Sequence, residues 1–491
     1  MTEKYILAID QGTTGTTVLA VDPQLRVRAK ATREFRQIFP KPGWVEHEAS
    51  AIWESVESAT RACLDEADIK PSDIAAIGIT NQRETTCLFD REGQPLHNFI
   101  VWQCRRTADL CKQLAAEGYE PLFRNKTGLV LDPYFSGTKL MWLFEHVEGA
   151  KAKAAQGDAL FGTIDTWLVH RLTGGEAHIT DATNASRTLL MDLETLAWDD
   201  ELCDVLSVPK ACLPEIKTSS EVYGVTKGIG FLPDGIPVAG IAGDQQAALF
   251  GQACFLPGEA KCTYGTGCFL LLNTGEEIVR SDHGLITTVG IHLKDRTHYA
   301  LEGAAFIAGA AVQWLRDGLQ IIDSAPEIEH WARQAKDTGD VVFVPALSGL
   351  GAPHWRPEAR GLLAGCSRDT GRAEICRAVL EGIALQNRDI LEAMRKDAGA
   401  LRVLKVDGGA SANDLLMQMQ ADFLDLSCVR PDVLETTALG AAALAGLAVG
   451  MFGHPDDVRK VWREDRSFST AMSDEERQRF LDKWERAVAR A

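Results

Sequence analysis

Tyr5-Ile6-Leu7-Ala8-Ile9-Asp10-Gln11-Gly12-Thr13-Thr14-Gly15-Thr16-Thr17-Val18-Leu19-Ala20-Val21 begins and ends as apolar runs and turns polar in the middle. The pattern predicts two short strands joined by a glycine- and threonine-rich turn. Such a turn suits an anion. Glycine lets backbone N–H groups close on a phosphate, the threonine hydroxyls add donors, and Asp10 at the strand end can hold hydrated Mg²⁺. Turns of this composition are also ordinary hairpin connections. A second copy weighs against that reading: Lys261-Cys262-Thr263-Tyr264-Gly265-Thr266-Gly267-Cys268-Phe269-Leu270-Leu271-Leu272 repeats strand, turn and strand in the later half. Two hairpins, one per half, imply two related domains gripping one nucleotide.

The 491-residue chain exceeds what one core organises, which fits two large domains. Pro257-Gly258 punctuates the boundary, giving an N-terminal domain over residues 1–252 and a C-terminal domain over 253–491. A formal net charge of −18 argues against a nucleic-acid or anionic-membrane partner, because both would be repelled over most of the surface. A local nest of backbone N–H groups with a metal ion still binds polyphosphate on an acidic protein. Twelve cysteines without a Cys-x-x-Cys pair point to buried free thiols in a reducing cytoplasm. The low-charge stretch 438–452 has 15 residues, too few to span a membrane, and reads as a tightly packed buried helix.

Short apolar strands alternate with helical patterns almost throughout, the mark of α/β architecture. A strand at 74–80 delivers Asn81-Gln82-Arg83-Glu84 at its carboxyl end, and one at 236–243 feeds Asp244 into a helix over 245–252. Open α/β sheets place their ligands at such strand ends. A third strand, at 404–407, runs into Gly408-Gly409-Ala410-Ser411-Ala412-Asn413, where Gly409 permits close approach of a nucleoside.

The chain contains no Gly-Lys dipeptide, which excludes a P-loop and leaves the two-hairpin cradle. Phosphoryl transfer to an alcohol needs a carboxylate to take the hydroxyl proton, and Asp244 is the best candidate. An aspartate at a helix start is also a common cap. Arg83 and Glu84 pair a donor with an acceptor for adjacent hydroxyls, although a plain ion pair has the same composition. Trp102, Tyr134 and Phe269 can wall the carbon face of a small polyol, or simply fill a core.

The segments 10–14, 78–86, 101–106, 132–139, 240–251, 264–269 and 406–413 closely resemble, in order, the FGGY carbohydrate kinases. Asn81-Gln82-Arg83-Glu84 and Trp102-Gln103-Cys104-Arg105-Arg106 look like the glycerol branch of that family. The resemblance implies two ribonuclease H-like, actin-like domains closing on Mg-ATP and glycerol, with ADP and sn-glycerol 3-phosphate as products. It implies that Thr13, Thr14 and Gly15 meet the phosphates, that Thr266, Gly309, Gln313, Gly409 and Asn413 complete the nucleotide site, and that Asp10 supports the metal. Arg83, Glu84, Tyr134, Asp244 and Gln245 would bind the hydroxyls, Trp102 and Phe269 would pack on carbon, and Asp244 would be the base. A homodimer or homotetramer is expected. A related kinase for another small polyol or ketose, or an actin-like ATPase without a small acceptor, would share the hairpins. Many relatives carry arginine where this chain has Thr17.

Overall fold

The computed structural model describes residues 4–399 and 401–491. Two mixed sheets organise it. The first is built from β1 (Tyr5–Gln11), β2 (Gly15–Val21), β3 (Val27–Glu34), β4 (Ile74–Asn81), β5 (Ser220–Val225) and β6 (Pro237–Gly243), in the spatial order β5-β6-β4-β1-β2-β3. The second contains β7 (Glu259–Tyr264), β8 (Cys268–Gly275), β9 (Ile286–Leu293), β10 (Arg296–Ala305), β11 (Val403–Asp407), β12 (Cys428–Pro431) and β13 (Glu464–Phe468), in the order β9-β10-β8-β7-β11-β12-β13.

The two sheets share one plan. The first strand of each, β1 or β7, forms an antiparallel hairpin on one side, with a further antiparallel strand beyond it. On its other side come two parallel strands and then an antiparallel edge strand. The turn of each hairpin therefore lies beside the carboxyl ends of the parallel strands, where α/β sheets hold ligands.

Alternation along the strands explains the layers. Leu7, Ile9, Val18, Ala20, Ile77, Ile79 and Ile241 face α1 (Ala49–Glu66), packing on Ile52, Val56 and Ala59. Ile6, Ala8, Leu19, Val21, Ala76 and Ala239 face the opposite way. Their partner comes from the far end of the chain. After α2 (Asp244–Gly251), α3 (Arg372–Ala398) and α4 (Asp414–Leu424), the helix α5 (Thr436–Ala448) returns to lie across β1, β4 and β6 and against α2. Small residues make this possible: a Cβ on Gly78 would stand 2.2 Å from the Ala441 carbonyl oxygen, and one on Gly440 1.9 Å from that of Ala247.

The helix expected over 438–452 starts at Thr436 and stops at Ala448, and the stretch is buried from Ala438 to Gly446 but not over 447–451, with Gly450 at φ +75° in the turn that follows. The helix expected at 245–252 runs from Asp244 to Gly251. The second sheet packs on α3 and α4 around Leu270, Leu272, Leu301, Ile383 and Leu404. A separate apolar cluster around Val101, Phe123, Phe135 and Leu140 supports Trp102 and Tyr134. All twelve thiols are free and only Cys366 is exposed. Among the described residues no helix is long and apolar enough to cross a membrane.

Candidate active site

In the first hairpin Gln11 pairs with Thr16, and the Gly12 N–H closes the turn on the Gly15 carbonyl at 2.9 Å. A Cβ on Gly15 would lie 2.7 Å from the Arg33 carbonyl oxygen, so this glycine admits β3. Thr14 is exposed at the tip, while the Thr13 hydroxyl accepts the indole N–H of Trp102 at 2.9 Å. In the second hairpin the Gly265 N–H reaches the Gly267 carbonyl at 2.9 Å, and the Thr266 carbonyl accepts the N–H groups of Ala308 and Ala310. That contact seats the hairpin tip on the short helix Gly309–Gln313.

Beside it opens a cavity of about 360 Å³ lined by Thr266, Gly309, Gln313, Gly409, Asn413 and Ile383, among others. The five residues expected around the nucleotide therefore share one cavity. Nothing lies within 4 Å of a Cβ built on Gly409, so its small size answers to no protein neighbour. The Asn413 side-chain oxygen caps α4 by accepting the Leu416 N–H at 2.9 Å.

Arg83 and Glu84 follow β4 in a strained turn. The Thr85 N–H donates to the Arg83 carbonyl at 2.7 Å, and Glu84 between them has φ +60°, a γ-turn that L-residues rarely adopt. Arg83 is buried, and all its N–H directions meet protein. Nε faces Asp244 at 3.1 Å, Nη1 reaches Glu302 at 2.5 Å and Gln246 at 3.3 Å, and Nη2 reaches Glu302 at 3.0 Å and the Tyr134 hydroxyl at 3.4 Å. The Tyr134 contact is the longest, hence the one a substrate hydroxyl most readily replaces. Arg187 closes the network, donating to Glu84 Oε1 at 2.7 Å and to Glu302 Oε1 at 2.9 Å.

Burial raises the carboxyl pKa of Glu302, but Arg187 and Arg83 outweigh it and hold the group down to about 2. For Glu84 burial wins over the same two arginines and the pKa is raised. No protein hydrogen bond reaches Glu84 Oε2 among the described residues, which leaves an acceptor open. Trp102 meets Tyr134 and Phe269 edge to face, with ring centroids 5.5 and 6.3 Å apart, and the Tyr134 hydroxyl joins these rings to Arg83.

Asp244 is the first residue of α2. The cap itself is Gly243, where a Cβ would stand 2.7 Å from Arg83 side-chain carbons. Asp244 Oδ1 accepts the Gln245 N–H at 2.8 Å, Oδ2 accepts the Gln245 side-chain amide at 3.1 Å, and about a third of the side chain (32%) stays exposed. The half-buried Asp10 has its carboxyl pKa raised to about 7 by burial and then by the charge of Asp244, with Lys30 opposing. The influence of Asp244 on Asp10 brings two carboxyl groups to one region, and hard carboxylate oxygens suit a divalent cation. Among the described residues no group of three or more His, Cys, Asp or Glu could hold a metal, so most of its coordination would come from phosphate oxygens and water.

Sequence reasoning missed Arg187, Gln246, Lys261 and Glu302. The available signal was a lone charge inside an apolar strand, as in Ala260-Lys261-Cys262 and Leu301-Glu302-Gly303, because a buried charge implies a partner.

A duplicated sheet plan with a glycine–threonine hairpin in each copy defines a two-domain, actin-like α/β protein. The chain belongs to the FGGY family of carbohydrate kinases: residues 5–251 match the family's N-terminal domain and residues 260–449 its C-terminal domain. It is similar to a glycerol kinase of Myxococcus xanthus, 62% identical with 99% of each chain covered, and to glycerol kinase 2 of Thermotoga maritima, 54% identical with 99% of each covered. Among solved structures it resembles Plasmodium falciparum glycerol kinase with ADP, with a TM-score of 0.93 and 39% identity over 99% of this chain and 98% of that one. A xylulose kinase from Lactobacillus acidophilus shares the fold at 23% identity and a TM-score of 0.87.

Proposed function

We infer that the protein transfers the γ-phosphoryl group of ATP to glycerol, giving ADP and sn-glycerol 3-phosphate. The observation that carries this reading is the strained, buried Glu84, which keeps one carboxyl oxygen without a protein hydrogen bond beside Arg83, while Arg83 itself reaches both the base candidate Asp244 and the hydroxyl of Tyr134, one of three joined aromatic rings with Trp102 and Phe269. A small molecule with adjacent hydroxyls on a short carbon chain satisfies all of these groups. The full-length likeness to named glycerol kinases supports the same substrate.

In this reading Arg83, Glu84, Tyr134, Asp244 and Gln245 bind the hydroxyls while Trp102 and Phe269 pack on the carbons. Thr13, Thr14 and Gly15 meet the phosphates, and Thr266, Gly309, Gln313, Gly409 and Asn413 hold the rest of the nucleotide. Asp244 takes the proton of the terminal hydroxyl as its oxygen bonds to the γ-phosphorus, and the bond to the bridging oxygen breaks to release ADP. Asp10 would support Mg²⁺, which would supply charge neutralisation on the polyphosphate. Residues 1–252 and 253–491 act as two halves that close and exclude water, with α5 of the second staying packed on the sheet of the first. The enzyme works in the cytoplasm, as a homodimer or homotetramer.

A coupled ADP assay with glycerol, erythritol and xylulose tests the substrate. Glycerol should give the highest kcat/KM. Preference for xylulose or erythritol would assign a different sugar or polyol, and ADP release indifferent to all three would assign an ATPase without an acceptor.

A further inference from the structure

We propose that Lys261 is a positioning residue for phosphoryl transfer, fixing the side-chain amide of Gln245 so that its NH₂ faces the base Asp244. The proposal rests on the reading of Asp244 given above. Lys261 lies on β7, in the half of the chain opposite Asp244, and is completely buried. Its ammonium donates to Gln245 Oε1 and, at 2.9 Å, to the Thr263 hydroxyl. Gln245 in turn donates from Nε2 to Asp244 Oδ2 at 3.1 Å.

The chemistry of the three groups gives this chain a direction. An ammonium has donors and no acceptor, so it bonds only the amide oxygen and forces the NH₂ to the other end. An ionised carboxylate accepts only, so it takes that NH₂. With the ammonium gone, the amide is free to turn over and set its oxygen against Oδ2, which disturbs the plane of the carboxylate. Asp244 is otherwise held by the Gln245 N–H and Arg83 Nε, both on Oδ1. The Lys261–Gln245 link is thus the hold on the second oxygen.

Among the charges around Lys261, Asp407, Asp244 and Glu302 favour its ammonium form and Arg83 opposes it. Burial lowers its pKa and is the largest influence. Lys405, directly opposite on β11, is turned to the carbonyls of Gln252 and Ala253 and cannot take its place. Because Lys261 approaches α2 from β7, it also makes the geometry of the base depend on the two halves being correctly docked.

The test is a double-mutant cycle on the full-length protein with Lys261→Met, Gln245→Leu and the pair, scored by kcat and by KM for ATP and glycerol. Lys261→Met should lower kcat about 10–100-fold, the cost of a misplaced reacting group, with KM for ATP little changed. The pair should be no slower than Gln245→Leu alone, since Lys261 acts through Gln245. Losses that multiply, or an unchanged kcat in Lys261→Met, would overturn the proposal. Lys261→Gln is run in the same cycle. Its amide accepts as well as donates and does not fix Gln245, so its kcat should resemble that of Lys261→Met, and a wild-type kcat would count against the idea. An ADP-dependent rise in melting temperature identifies the folded variants. A wild type inactive on glycerol defeats the functional reading itself, whereas an active wild type with multiplying losses defeats only the role of Lys261.

Discussion

Trp102 and Thr13 are joined by a hydrogen bond of 2.9 Å from the indole N–H to the hydroxyl, linking the wall of the acceptor pocket to the first phosphate hairpin. The link is part of a closed circuit. The Trp102 backbone N–H reaches the Thr85 hydroxyl at 3.3 Å, Thr85 donates to Gln82 Oε1 at 2.9 Å, and Gln82 Nε2 donates to the Gly12 carbonyl at 3.1 Å. Trp102→Phe keeps an aromatic face and removes the N–H. Its kcat/KM for ATP should fall about 3–10-fold, on the ~1 kcal/mol scale of one neutral hydrogen bond. Steady-state kinetics check this, and an unchanged value would mean the bond does not position the hairpin.

Glu302 is the shared anion between Arg83 and Arg187, and all three side chains are buried. Glu302→Gln leaves two arginines facing each other with Glu84 and the partly exposed Asp244 to balance them. Breaking a buried pair in this way destabilises by about 3–5 kcal/mol. Denaturant unfolding should show a loss on that scale, together with a higher KM for glycerol because Arg83 is no longer held. Wild-type stability would mean that water or movement relieves the charges.

The pH dependence of stability should carry the mark of Asp10. Its carboxyl pKa in the folded chain is raised to about 7 from a reference of 3.8. The folded state therefore retains a proton that the unfolded chain gives up. This contribution is fully present below about pH 4 and is lost as pH rises through about 7. Asp10→Asn removes the titration, so without nucleotide the variant should gain stability relative to wild type between those limits and level off above them. Melting curves of the two proteins in parallel measure the difference, and a difference independent of pH would contradict the buried-acid reading.

The parts of this site that are legible in the sequence are those whose geometry is local. A strand followed by a glycine–threonine turn is self-contained, so both hairpins are readable, as is Gly243-Asp244-Gln245-Gln246 at a strand-to-helix junction. Arg187 and Glu302 are not, because each becomes meaningful only through partners distant in sequence, Glu302 lying 219 positions from Arg83, and Lys261 is not because its link to Gln245 spans the boundary between the two halves. Sequence alone does not show that the N–H groups of Arg83 also meet Glu302, Gln246 and Tyr134, the Tyr134 hydroxyl by the longest of these contacts. Nor does sequence reveal that α5 crosses back to the first sheet. A helix apolar on every side has no face to indicate its neighbour. Only the close approach at Gly78 and Gly440 identifies it.

Thr17 pairs directly with Asp10 across the first hairpin, so the two side chains share a face, and its hydroxyl meets that of Thr32 at 2.9 Å. An arginine at this position adds a fixed charge on the face of Asp10. Thr17→Arg should lower KM for ATP about 3–30-fold, the ~1–2 kcal/mol scale of a charge-assisted hydrogen bond, with KM for glycerol nearly constant. An unchanged or raised KM for ATP in the folded variant would show that the charge is not missing.

The central claim, that Asp244 takes the proton of an acceptor held against ATP, is tested most directly by single-turnover transfer from ATP to glycerol in Asp244→Asn. The substitution preserves shape and removes the proton acceptor. The predicted result is formation of sn-glycerol 3-phosphate slowed by about 10²–10⁴-fold, with ADP affinity close to wild type. Transfer at a near wild-type rate would contradict it.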